Sequence, residues 1–205
     1  MSNDKILTID WAMTFTPQPG NIESGDGYSV QDIPQGKMLA VIDGLGHGPK
    51  ASIAARAAEE ALKANPQGTP DALMQQCHRK LISTRGAVIS IASFNAQTNT
   101  MIWTGVGNVT SVLVSSNSNS EKGRDYLLLR GGIVGYRLPP LRSYTQNIHP
   151  GDVLILATDG IRKGFIETVD VTQSAKEIAD HIHGTYNRQT DDALVLVARF
   201  LAETE

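Results

Sequence analysis

Residues Met38-Leu39-Ala40-Val41-Ile42 form an apolar run with no polar break, ending in Asp43 and the glycine-rich turn Gly44-Leu45-Gly46-His47-Gly48. Neighbouring residues of a strand point to opposite sides, so a strand that is apolar at every position must be covered on both faces. The chain must therefore build a layer on each side of this segment. The pattern recurs where Val153-Leu154-Ile155-Leu156-Ala157-Thr158 leads into Asp159-Gly160, and where Asp191-Asp192 precedes Ala193-Leu194-Val195-Leu196-Val197. A further acidic turn, Gly25-Asp26-Gly27, lies early in the chain. Any single Asp-Gly pair at a strand end is most often just a turn. Several carboxylates gathered at strand ends, however, repel one another and lose solvation, and bound cations are the usual remedy. The repetition predicts a metal centre.

Length and charge narrow the classes. At 205 residues the chain is large for one domain and small for two, and a single domain spanning residues 1–205 with its own core is expected. Eighteen basic residues face 21 acidic ones with no basic run, which leaves no electrostatic footprint for nucleic acid. Cys77 is the only cysteine, which excludes a disulfide framework and a cysteine-rich zinc site. The opening Met1-Ser2-Asn3-Asp4-Lys5 lacks the apolar stretch of a signal peptide. No apolar segment approaches the ~18 residues of a membrane span. A cytoplasmic chain with no membrane partner is the expectation.

The first forty residues read as strands and turns: Ile6 to Thr16 is extended, and Pro17–Gly20 and Gly25–Gly27 interrupt. After Asp43 the period changes. Pro49 suits a first helical turn, and Ala54, Ala57, Ala58, Ala61 and Leu62 make a face of mostly small residues for close packing on a sheet. Thr69-Pro70 reads as N-cap and first residue of a second helix, whose apolar face is Leu73, Met74, Cys77 and Leu81. From Gly86 strands dominate: Val88–Phe94, Met101–Val106, Val109–Val114, Tyr126–Leu129 and Tyr144–Ile148, with a polar hairpin loop over Ser115–Arg124. A helix with Val171, Ala175, Ile178, Ala179 and Ile182 on one face follows the strand ending at Asp159, and Ala193–Phe200 closes the chain. Helices set between blocks of hairpin-connected strands predict an α+β layered fold with antiparallel sheets.

Other chemistries fit less well. Gly46-x-Gly48-x-x-Ala51 follows a strand and opens a helix, the setting of a dinucleotide-binding turn. That reading needs a parallel strand after the helix, whereas a second helix follows, and Asp43 would repel a pyrophosphate. Gly44 to Lys50 does not supply the Gly-Lys-Ser/Thr of a nucleotide-hydrolase phosphate loop, and no aspartate starts a calcium-loop pattern. The five histidines include no His-Glu-x-x-His zinc arrangement, and His78, His181 and His183 are expected on solvated helix faces. Carboxylates with a backbone carbonyl favour magnesium or manganese over zinc.

Gly25-Asp26, the Asp43–Gly48 turn, Arg85-Gly86-Ala87, Gly105-x-Gly107-Asn108, Gly151-Asp152, Thr158-Asp159-Gly160 and Asp191-Asp192 follow one another in an order that resembles the motif series of the type 2C metal-dependent serine/threonine phosphatases. More narrowly, the order resembles their bacterial SpoIIE-like branch, and within it the stand-alone stressosome-feedback type, since no segment precedes the domain. The resemblance covers nearly the whole chain. It implies two stacked antiparallel β-sheets flanked by α-helices, a four-layer αββα sandwich. It also implies a centre of two Mn2+ or Mg2+ ions at one edge. Asp43 would bridge both ions, the Gly44 carbonyl would bind one, Asp159 and Asp191 would hold the other, and Asp26 would support the centre directly or through water. Asp192, at a position where relatives often carry asparagine, would stand behind these ligands.

Two cations ~3.5–4 Å apart lower the pKa of a bridging water and neutralise phosphoryl oxygens during in-line attack, so no side-chain nucleophile is required. The implied activity is removal of phosphate from phosphoserine or phosphothreonine of a partner protein. The implied substrates are phosphorylated STAS-domain proteins of a stressosome or of an anti-sigma antagonist system. The alternative is a catalytically inactive, phosphatase-like module that docks on phosphoproteins. Two departures stand out. The stretch Pro17–Ser24 lacks the phosphate-binding arginine of eukaryotic relatives, leaving Arg85 or the ions for that role, and the chain is too short for the substrate-selecting flap of larger relatives. His47 is either a proton donor to the leaving serine or a solvated loop residue.

Overall fold

The doubly apolar runs become the middle strands of two sheets, with each residue parity serving a different layer. The computed structural model describes residues 7–116 and 123–202. The strands are β1 (Leu7–Thr16), β2 (Asp26–Ile33), β3 (Gly36–Gly44), β4 (Ala87–Asn95), β5 (Thr100–Val106), β6 (Thr110–Val114), β7 (Arg124–Tyr126), β8 (Tyr144–Asn147), β9 (Val153–Ala157) and β10 (Ala193–Ala202). One sheet has the order β1-β10-β9-β6-β7 and the other β2-β3-β4-β5-β8. Every pairing between these strands is antiparallel. The dinucleotide reading, which needs a parallel strand, is thereby excluded.

Leu39 and Val41 of β3, Leu154 and Leu156 of β9, and Leu194, Leu196, Ala198 and Phe200 of β10 meet in the core between the sheets, with Phe94 and Trp103. The intervening residues face outward. Met38, Ala40 and Ile42 pack under α1 (Pro49–Ala64) and α2 (Pro70–Leu81), and Ile155, Ala157, Val195 and Val197 pack under α3 (Ala175–Tyr186). The result is the expected α+β αββα sandwich, two stacked antiparallel β-sheets flanked by α-helices.

The helices start as their sequences dictate. Pro49 and Pro70 sit in first turns, and Thr69 accepts from the Ala72 N–H at 3.3 Å. Ser174 and Glu177 form a reciprocal capping box on α3. Cys77 is fully buried, and burial pushes its thiol up to about 12, so it behaves as a core residue. Two histidines depart from expectation. His78 Nδ1 accepts the Gly135 N–H at 2.9 Å, and His183 is half-buried against Thr16, where burial lowers its pKa.

The strand expected over Tyr126–Leu129 is displaced. β7 ends at Tyr126, after which the Leu127 N–H bonds to the Ser111 carbonyl in the first sheet and the Arg130 N–H to the Gly105 carbonyl in the second. This segment hands the chain from one sheet to the other, so it belongs to neither ladder. Of the expected polar loop, residues 117–122 lie outside the described residues, as do the first six residues. The Ser115 N–H bonds to the Gly123 carbonyl at 2.9 Å across the base of that loop.

Phe94 and Phe200, from opposite sheets, pack with ring centroids 4.9 Å apart and are both buried. We expect Phe94→Ala to lower unfolding free energy by about 3–5 kcal/mol in urea titrations, because the sheets cannot close the resulting cavity.

Candidate metal centre

Strand alternation also decides where the acidic residues go. In β3, Leu39 and Val41 face the inter-sheet core, so Asp43 has inner parity, and its register partner across the ladder is Asp26 at the start of β2. Thr158 continues the inner parity of Leu154 and Leu156, and Asp192 that of Leu194 and Leu196. Groups from both sheets therefore arrive between the layers at one end of the sandwich.

Two contacts clasp the sheets there. Thr158 Oγ1 donates to Asp26 Oδ2 at 2.7 Å while accepting the Leu194 N–H at 2.9 Å. Asp192 accepts the Gln18 N–H on one oxygen and the Gly25 N–H on the other, each at 2.8 Å. Asp192 thus ties the Pro17–Gly25 loop, which leads into β2, to the start of β10 in the other sheet. The Gly44 N–H donates to the Gly25 carbonyl at 2.9 Å, and a side chain at Gly44 would stand 2.3 Å from the Ala51 carbonyl oxygen. Only glycine lets the Asp43 turn lie this close to the start of α1.

An open cleft of about 480 Å³ lies over this end, lined by Asp43, His47, Asn108, Asp159 and Asp191 among others. Asp159 is exposed, and Asn108 Nδ2 donates to its Oδ2 at 2.8 Å. Burial is the main force on Asp43, followed by repulsion from Asp159, Asp191 and Asp192; together they push its carboxyl up to about 7. Asp26 is held well above the usual carboxylate range by burial and then by Asp43, against the opposing Thr158 hydrogen bond. Asp191 is also raised, first by burial, with repulsion from Asp159 and Asp192 partly offset by the Asp192 N–H and by His47 nearby.

The structure brings Asp26, Asp43, Gly44, Asp159, Asp191 and Asp192 to one end of the sandwich. It does not bring Asp152, although Gly151-Asp152 belongs to the same motif series. Asp152 stands at the opposite end of β9, where its oxygens accept from the backbone N–H groups of Ser116 and His149. In the sequence Thr158 and Asn108 stand only as members of the motif series, and their hydrogen bonds to Asp26 and Asp159 give them positioning roles. The carboxylates and the Gly44 carbonyl gathered here are oxygen donors, which suits a hard divalent cation. Among the described residues no three Asp, Glu, His or Cys side chains form a complete site for one ion by themselves. A hard cation that keeps several waters needs only one or two carboxylates, so the residues fit such an ion.

Fold and acidic cleft together define a protein phosphatase domain of the type 2C, metal-dependent class. The family described as Stage II sporulation protein E (SpoIIE) matches residues 34–201, and the chain belongs to it. It is 23% identical over 198 residues to the phosphoserine phosphatase RsbX of Bacillus subtilis (strain 168), covering 96% of each protein. A crystal structure of RsbX in complex with magnesium superposes with a TM-score of 0.83 at 22% identity, over 94% of this chain and 95% of that one. A solved structure described as the bacterial stressosome, a modular system adapted to control secondary messenger signaling, matches at 30% identity with a TM-score of 0.85, over 94% of this chain and 100% of that one. The catalytic domain of the serine threonine protein phosphatase PstP, in complex with 2 manganese ions, matches at 15% identity and a TM-score of 0.73, over 95% of this chain and 99% of that one.

In the folded protein Asp43 keeps its proton up to about pH 7, whereas the unfolded chain releases it near 3.8. The folded state binds more protons across that window, so this group's stabilisation is complete below about pH 4 and is lost as pH rises through about 7. With chelator present, melting temperature should fall across the window. Asp43→Asn should flatten the slope, and so should added manganese.

Proposed function

We propose that the chain is a Mn/Mg-dependent phosphatase, one domain over residues 1–205, that removes phosphate from phosphoserine or phosphothreonine of a partner signalling protein. The observation that carries this reading is the convergence of Asp43, Asp159 and Asp191 on one cleft, with Asp26 buried beside Asp43, where burial and the neighbouring negative charge raise the proton affinity of Asp26, Asp43 and Asp191. RsbX with magnesium and PstP with two manganese ions support a two-ion occupant for such a cleft. Asp43, the Gly44 carbonyl, Asp159 and Asp191 would hold the ions, with Asp26 in support.

Divalent ions bound there supply Lewis-acid charge to phosphoryl oxygens and make water a nucleophile near neutral pH. The chain's own part is positioning. Thr158 fixes Asp26 across the sheet gap, Asn108 fixes Asp159, and Asp192 holds the Gly25 backbone against the cleft. Shallow and open, the cleft admits a phosphorylated side chain presented by a folded protein, and it needs no deep pocket for a small metabolite. The stressosome and RsbX likenesses support phosphorylated STAS-domain or stressosome proteins as that partner. No helix among the described residues is long and apolar enough to cross a membrane.

An aryl phosphate tests the activity and phosphorylated STAS-domain proteins test the partner. We expect manganese-dependent release of phosphate, stopped by chelator and reduced about 100-fold or more in Asp43→Ala and Asp159→Ala. No manganese binding by calorimetry at millimolar metal, together with no turnover on either substrate, would instead favour a phosphoprotein-docking module. Turnover indifferent to chelation would reject the metal-dependent reading.

A further inference from the structure

We propose that Arg85 is the protein's own phosphate-binding cation, taking phosphoryl oxygens of the substrate at the mouth of the acidic cleft. This rests on the phosphatase reading above. The cleft poses a charge problem that its lining does not solve. Asp43, Asp159 and Asp191 line it, and neither lysine nor arginine appears among the described lining residues. A phosphate dianion approaching this wall meets carboxylates on several sides, and cations beneath it compensate only the oxygens that face them. Oxygens turned toward solvent need a donor at the rim.

Arg85 is placed for this by the backbone on either side of it. The Thr84 N–H and hydroxyl both donate to the Leu81 carbonyl, at 2.9 and 2.8 Å, and the Gly86 N–H donates to Thr84 Oγ1 at 3.0 Å. The Gly86 carbonyl accepts from the Leu45 N–H at 3.0 Å, which ties this loop to the turn that follows Asp43. One residue further, Ala87 exchanges both backbone hydrogen bonds with Val134, at 2.9 and 2.8 Å. The side chain then crosses Gly46, a residue of the cleft lining: a Cβ built on Gly46 would stand 2.7 Å from Arg85 Nη1. Gly46 has φ +84°, so both its backbone conformation and the guanidinium beside it favour glycine there.

The guanidinium has no competing assignment. Arg56 is engaged with Glu23 and Arg124 with Glu167, whereas no described residue forms an ion pair with Arg85. A free, planar guanidinium on a backbone pinned to the Asp43 turn matches two phosphate oxygens at once, which an ammonium does not.

The test compares wild type, Arg85→Ala and Arg85→Lys in three measurements. These are steady-state hydrolysis of a phosphoserine peptide, inhibition by inorganic phosphate, and calorimetric binding of phosphate to the manganese-loaded protein. We expect Arg85→Ala to raise KM, the phosphate inhibition constant and the phosphate Kd together, by about 10- to 100-fold, the range of a charged hydrogen bond. Arg85→Lys should restore part of the loss, while manganese affinity and melting temperature stay at wild-type values. Wild-type KM and phosphate binding in Arg85→Ala would overturn the proposal, as would equal loss of manganese binding, which would mark Arg85 as structural. If the wild type proves unable to turn over, the phosphatase reading fails and phosphate calorimetry still decides on Arg85. Loss of phosphate binding in Arg85→Ala then supports it, and no binding by wild type or no difference between the two overturns it.

Discussion

Everything at this site follows from carboxylates placed with inner parity at the end of strands that are apolar up to their last residues. In β3 the alternation that sends Leu39 and Val41 into the inter-sheet core sends Asp43 the same way, at the point where the sandwich opens. Asp26 is its register partner, so the two charges are adjacent by strand geometry and no side-chain rearrangement separates them. Burial and mutual repulsion both disfavour ionisation, and the fold bears that cost. On Asp26 it is offset locally by the Thr158 hydroxyl, and this contact and those of Asp192 also join sheet to sheet. The site is in this sense the clasp of the sandwich.

The contrast with Asp152 shows what separates a carboxylate free to take a ligand from a structural one. Both Asp152 and Asp159 flank β9 beside a glycine. Asp152 is buried, with backbone N–H groups of Ser116 and His149 on its two oxygens, and it closes the far end of the strand. Its hydrogen-bonding capacity is spent inside the protein. On Asp43 only burial and neighbouring negative charge act, and Asp159 meets one amide and solvent. Unspent acceptors facing a cleft are what a cation requires, and the motif Gly-Asp or Asp-Gly does not by itself distinguish the two cases.

That distinction marks how far the sequence could be read. The two-faced strands, the capped helices and the convergence of Asp26, Asp43, Asp159 and Asp191 were legible because each rests on a short-range pattern: a period of two, a proline or threonine at a helix start, a carboxylate ending an apolar run. The hydrogen bonds that organise the site were not. Thr158 and Asp26 lie 132 residues apart, Asn108 and Asp159 lie 51 apart, and Asp192 and Gly25 lie 167 apart, so their partners depend on how the sheets stack. The sheet-switching segment after Tyr126 was misread as a strand because Leu127 and Leu129 keep strand-like alternation while their backbone leaves the ladder. His78 was misread for a similar reason: the Gly135 N–H that it accepts comes from 57 residues away.

The same electrostatics sets the terms on which a cation enters. A carboxyl raised to about 7 is close to half-protonated at neutral pH, so an ion held by Asp43 would have to displace a proton, and its apparent affinity would rise with pH through that range. Binding to the folded state alone would stabilise it by about 2.7 kcal/mol at a hundred times Kd. That is comparable with what leaving one buried polar group unpaired costs, about 1–3 kcal/mol. Cation and fold would thus be linked in one balance: the arrangement that makes the cleft costly for the bare chain is the one a bound divalent ion would relieve. The clasp contacts from Thr158 and Asp192 keep the carboxylates from relaxing apart before the ion arrives.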